Sequence, residues 1–85
     1  MSEVHHYEFE EALKLIKSGQ LMAREGWNGK GMYVFLVSGS NFEVNRPPLL
    51  TYRPHIDMKY ADGTVGVWLA SMGDLLANDW VVVQK

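Results

Sequence analysis

The chain has 85 residues, 47% of them hydrophobic, and a formal net charge of −2. A chain of this length removes from water only roughly 60–65% of the surface it exposes when unfolded, so its core is modest. The composition excludes a disordered chain, the absence of cysteine excludes disulfide scaffolds and thiolate metal sites, and the slight acidity argues against a nucleic-acid groove. No apolar run approaches the ~20 residues of a membrane helix. The first residues carry neither a basic nor an apolar signal region, so no secretion is expected. Three Trp, four Tyr and three Phe are more apolar surface than one thin core needs. Some of it is therefore expected at a subunit interface or in a pocket.

Residues 1–85 read as a single domain, without repeat or linker. His5 and His6 read as an exposed end of the chain. Glu8 to Ser18 predicts a helix, with Phe9, Ala12, Leu13 and Ile16 on one stripe. Its acidic residues lie near the start and Lys14 and Lys17 near the end, as the helix dipole favours. Gly19 is placed to close it in a left-handed conformation. Leu21 to Arg24 predicts a short strand, and Gly26 to Gly31 a glycine-dense turn. Met32 to Val37 predicts a central strand, and Phe42 to Val44 a short one. Pro47 and Pro48 break regular structure.

Arg53 to Tyr60 predicts a strand, with His55, Asp57 and Lys59 alternating against Ile56, Met58 and Tyr60. Asp62-Gly63 is a hairpin signal, with Thr64 to Leu69 as the return strand. Ser71 to Leu76 reads as a short helix opened by a capping box, with Asp74 in place of the usual Glu. Trp80 to Val83 predicts the last strand. The expected class is α+β: a small, mostly antiparallel sheet with one N-terminal helix packed on it and a short helix before the last strand.

Three places invite a chemical reading. The Gly26–Gly31 turn fails as a phosphate loop, because its spacing is wrong and a strand follows. Trp27 within it either folds into the core or stacks on a planar base that the glycines allow to approach. Arg53, His55, Asp57 and Lys59 form either a wet face with a cross-strand ion pair or a floor for a charged ligand, with Arg53 toward phosphate and Asp57 toward a hydroxyl. His55 and Asp57 alone do not make a metal site. Asn78 and Asp79 either shape a turn or accept hydrogen bonds from ribose hydroxyls. No hydrolase elbow or zinc-protease motif is present.

Several blocks together resemble a known family. They are Ala23-Arg24-Glu25-Gly26-Trp27-Asn28-Gly29-Lys30-Gly31-Met32, Pro54 to Lys59, Ala61 to Thr64, Trp68 to Ser71, and Asp74 to Trp80. In this order, and over about Phe9 to Val83, they are similar to Thoeris anti-defence proteins of the second type. Thoeris is a bacterial anti-phage system in which a TIR-domain sensor makes glycocyclic ADP-ribose to activate a suicidal effector. The resemblance implies a binder and not an enzyme: a sponge that holds that cyclic ADP-ribose isomer intact. It also implies a homotetramer with pockets between subunits, action in the host cytoplasm, and no cofactor, nucleic acid or membrane partner. Some relatives also hold cyclic dinucleotides in separate pockets.

Carried over by position, Trp27 and Asp79 are the leading ligand-binding candidates, followed by Asn28, Lys30, Arg53, Asp57 and Ser71. The chain departs from relatives in its short, proline-bearing Phe42–Tyr52 segment. It also lacks the polar residue that some relatives carry just before Trp68. The other classes of function are an enzyme cleaving the same signal, with Asp57 or Asp79 beside His55, and a protein-interaction module of a phage.

Overall fold

The computed structural model describes residues 4–27, 30–38 and 53–84. The amphipathic stripe forms α1 (Phe9–Lys17), in which Ala12 and Ile16 are fully buried and Phe9 and Leu13 half-buried. The helix ends as Gly19 suggested. Gly19 adopts φ 103°, its amide donates to the Ile16 carbonyl, and the Gln20 amide donates to the Leu15 carbonyl. These two bonds satisfy carbonyls that the last turn leaves without partners.

Five strands follow: β1 (Leu21–Arg24), β2 (Tyr33–Val37), β3 (His55–Lys59), β4 (Val65–Val67) and β5 (Trp80–Val83), with α2 (Met72–Leu76) before the last. They form one sheet in the order β4-β3-β2-β1-β5, and every pairing is antiparallel. Met32–Val37 thus supplies the central strand, as its apolar run predicted. The return strand is shorter than expected, because Trp68 leaves the ladder after donating its amide to the Ile56 carbonyl. The Asp62-Gly63 hairpin forms. Gly63 has φ 92°, and the Asp62 carboxylate accepts from both the amide and the hydroxyl of Thr64. The expected strand at Phe42 to Val44, and the whole Phe42–Tyr52 departure, lie outside the described residues.

Period-2 alternation gives the sheet two faces. Met22, Val34, Met58 and Trp80 turn toward α1 and make the core with Ala12 and Ile16. Trp80 is 0% exposed and is the hub of the aromatic packing. Its ring centroid lies 5.5 Å from Phe9, 5.4 Å from Trp27 and 5.9 Å from Trp68, the last two edge-on. Its indole N–H donates to the Asp74 carbonyl at 3.0 Å, so the buried polar atom is satisfied.

The opposite face carries Leu21, Tyr33, Phe35, Val37, Val81 and Val83, all half-buried. Among the described residues both helices lie on the other side. His55, Asp57 and Lys59 belong to this far face, beside Phe35 and Val67. The wet face with a cross-strand ion pair is therefore corrected. The face is largely apolar, and its ion pair runs along one strand, from His55 Nε2 to Asp57 Oδ1 at 3.2 Å. Among the described residues, no helix is long and apolar enough to cross a membrane.

Candidate functional site

The antiparallel order brings the end of β1, the start of β2, the end of β3 and the start of β5 to one end of the sheet. The glycine turn sits there. Arg24 closes β1 and pairs with Trp80 across the ladder, so its side chain leaves on the core-facing side. A cation in that position needs partners, and it has two carboxylates. Arg24 Nε donates to Asp79 Oδ1 at 2.9 Å, and Nη1 donates to Asp74 Oδ1 at 3.0 Å. The guanidinium fork suits this double engagement in a way a lysine ammonium does not.

Each carboxylate also holds the turn. The Gly26 amide donates to Asp79 Oδ2 at 2.9 Å, and a Cβ at Gly26 would lie 3.0 Å from that oxygen, so the approach suits a glycine. The Glu25 amide donates to the Asp79 carbonyl. Trp27 lies half-buried with its edge-on neighbour Trp80 on one side, and its indole N–H points to Asp74 Oδ1 at 3.4 Å. Asp74 is 8% exposed and completes the capping box of α2. The Ser71 hydroxyl accepts from the Asp74 amide, and the Ser71 amide donates to Asp74 Oδ2. His6 adds a contact from the N-terminal side, Nε2 to Glu25 Oε1 at 2.9 Å, so this residue is more than a loose end.

Burial alone would raise both acids. For Asp74 it is outweighed by the Ser71 amide, the Arg24 guanidinium and the indole, which hold the carboxyl below its usual range. For Asp79 it is outweighed by Arg24 and the Gly26 amide. Hydrogen bonding to Asp79, then to Asp74, raises the guanidinium further. Because the folded-state values of both acids are depressed, their stabilisation is complete above the unfolded carboxylate value of about 4 and fades as pH falls through the lower, folded-state values. The midpoint of urea unfolding is thus expected to fall steeply below about pH 4. An Asp74→Asn, Asp79→Asn double variant should be less stable at neutral pH and should lose less on acidification.

The structure divides the candidate residues. Trp27 and Asp79 meet at the glycine turn, with Ser71 one hydrogen bond away through Asp74. Lys30 is exposed on the same turn, and Asn28 lies outside the described residues. Arg53 precedes β3 at the opposite end of the sheet, and Asp57 lies mid-strand on the far face. Within one chain, neither reaches Trp27. The lysine that meets the turn from β3 is Lys59, whose Nζ donates to the Gly31 carbonyl at 2.9 Å and lies 5.6 Å from the centre of the Tyr33 ring.

Arg24, central to this arrangement, is not among the ligand-binding candidates read from the sequence, although it had a readable signal: it shares the phase of Met22, and a charged residue in a core phase implies a buried partner. Lys59 was read only as part of the strand face with Arg53, His55 and Asp57, and its meeting with Gly31 depends on register.

A cavity of about 480 Å³ opens elsewhere, between α1 and β2–β3, walled by Phe9, Leu13, Leu36, Ile56 and Trp68. None of the candidate ligand residues lines it. Among the described residues, Lys17 and His55 are its ionisable members. Among the described residues, no three His, Asp or Glu side chains converge on a possible metal position.

The Thoeris anti-defense 2-like domain matches residues 7–83. The chain is also similar to a curated protein of Bacillus phage SP01 named "Thoeris anti-defense 2". The two are 36% identical over 85 aligned residues, which cover 88% of this chain and 92% of that protein. The matched span contains every element from the Tyr7 bridge to the end of β5.

Proposed function

The chain belongs to the Thoeris anti-defense 2-like family, and on that premise we propose that it silences Thoeris by binding glycocyclic ADP-ribose and holding it intact. The observation that carries this reading is the Trp27 platform. A half-buried indole, packed at right angles to Trp80 and held at its N–H by Asp74, stands in a glycine turn at one end of the sheet. Such a ring supplies a pre-set surface for a purine, and each base stacked on an aromatic ring is worth about 1–3 kcal/mol. Asp79 is about a quarter exposed, and its oxygens retain acceptor capacity for ribose hydroxyls. Lys30, exposed on the same turn, supplies a positive charge for a pyrophosphate.

Binding without turnover fits the acids. Asp79 already accepts from Arg24 and Gly26, and its proton affinity is lowered, which suits a hydrogen-bond acceptor better than a general acid. His55 and Asp57 form their pair on the far face, away from Trp27.

The pockets close between subunits of a homotetramer. Support comes from α2, which is turned inside out. Its one buried residue is the acid Asp74, while Met72 is 69% and Leu76 78% exposed, and Leu69 just before it is 86% exposed. Apolar side chains grouped on a surface mark an interface, and these adjoin the Trp27 turn through Asp74. A groove shared between chains encloses more of a small ligand than 85 residues can enclose alone.

Incubation of excess protein with glycocyclic ADP-ribose, followed by ultrafiltration, tests the binding. The expected result is a filtrate depleted of signal, with Kd near about 1 nM, or about −12 kcal/mol. Full recovery of the signal in the filtrate would favour a protein-interaction module instead.

A further inference from the structure

We infer that Arg24 is a positioning residue for the ligand platform: it sets Trp27 through the two carboxylates that its guanidinium joins. This rests on the reading of Trp27 as the platform, but its geometry stands apart from any ligand. Arg24 comes from β1, Asp74 from α2 and Asp79 from the approach to β5, so the arginine lies 50 and 55 positions from the two acids it joins. The guanidinium spans them, with Nε on Asp79 and Nη1 on Asp74.

The carboxylates pass that constraint to the turn. Asp79 fixes the backbone at Gly26, one residue before the tryptophan, and Asp74 faces the indole N–H itself. Two carboxylates brought to one side of a buried cluster repel each other unless a cation sits between them. Without Arg24 they would separate or take up a proton, and the two acceptors that orient Trp27 would move. The Arg24 side chain is itself about three-quarters buried, and its guanidinium is engaged by the two carboxylates, so its action is on the platform.

Arg24→Lys is the discriminating variant. It keeps the charge but cannot engage both carboxylates with one planar fork. Three readouts apply: the Trp27 indole N–H resonance, hydrogen exchange at the Gly26 amide, and the affinity for glycocyclic ADP-ribose. The Trp68 indole, which packs on Trp80 away from the carboxylates, is the internal reference.

The expected result is a folded protein in which the Trp27 resonance shifts and the Trp68 resonance does not. Exchange at Gly26 should quicken by about tenfold or more, and affinity should fall by about tenfold or more. An unshifted Trp27 resonance with unchanged Gly26 exchange would overturn the inference. The first two readouts need no ligand, so they decide it even if wild-type protein fails to bind the signal, an outcome that would reject the functional reading separately. Should Arg24→Lys fail to fold, Asp79→Asn addresses the same contact from its other side, with the same shift expected at Trp27 and the same contrary result.

Discussion

Replacing Trp27 with alanine is expected to weaken capture of glycocyclic ADP-ribose by about 5- to 140-fold while leaving a folded protein. The estimate follows from the stacking energy of one base, about 1–3 kcal/mol, at 1.4 kcal/mol per tenfold in affinity. The variant is not free of structural cost. Trp27 packs at right angles to Trp80 and offers its N–H to Asp74, so a loss of roughly 2 kcal/mol in stability is expected, below the roughly 3–5 kcal/mol of a fully buried aromatic.

Trp27→Phe separates the two contributions. Phenylalanine keeps a π-face for the base but has no donor for Asp74, so most of the affinity should remain if stacking dominates. Titration calorimetry beside thermal melts distinguishes the outcomes. A Trp27→Ala variant that binds as tightly as wild type would remove the platform from the account.

The largest effect on stability is expected at Trp80. It is wholly buried, joins Phe9, Trp27 and Trp68, and donates its indole N–H to the Asp74 carbonyl. Trp80→Ala loses the buried ring at about 3–5 kcal/mol and takes from the Asp74 carbonyl its shorter hydrogen bond, leaving the 3.5 Å contact from the Ala77 amide. A chain of this size has a total stability of only roughly 4–13 kcal/mol. The melting temperature should drop by about 15–30 °C, since 1 kcal/mol shifts a small domain by roughly 4–8 °C. Near-ultraviolet circular dichroism should lose its aromatic signal even where the far-ultraviolet spectrum survives. A melting point within a few degrees of wild type would contradict the place given to Trp80 at the centre of the core.

Local patterns were readable where the determinants are local. The stripe from Phe9 to Ile16, the Gly19 stop, the Asp62-Gly63 turn and the Ser71–Asp74 cap each depend on residues within a few positions of one another, and each forms. Membership in a sheet was also legible, since alternation along Ile56, Asp57 and Met58 assigns each side chain to a face. Strand order was not, because nothing in Trp80–Val83 says that its partner is Leu21–Arg24 rather than another strand.

The site inherits that difficulty. Trp27 and Asp79 could be singled out, but what joins them is an arginine 55 positions from Asp79 whose contact depends on the β1–β5 register. The same register explains why Arg53 and Asp57 do not share a floor with Trp27. Asp57 shares β3 with Lys59 and Arg53 precedes that strand, yet only the end carrying Lys59 runs toward the glycine turn. Asp74 was read as a cap, and it is one. Its burial and its contacts to Arg24 and Trp27 are properties of the assembled end of the sheet.

These pieces make the surplus of aromatic residues intelligible. Trp80 and Trp68 pack in and against the core, and Trp27 extends that packing outward to the glycine turn. On the proposed reading, a base rests on that ring while the carboxylates hold it in place.

The central claim is that the signal is held and not consumed. Its most direct test is to heat-denature the protein after it has depleted glycocyclic ADP-ribose and to analyse what is released by liquid chromatography and mass spectrometry. The account predicts quantitative recovery of unaltered glycocyclic ADP-ribose that again activates a Thoeris effector. Recovery of a linearised or hydrolysed product would contradict it and make the protein an enzyme.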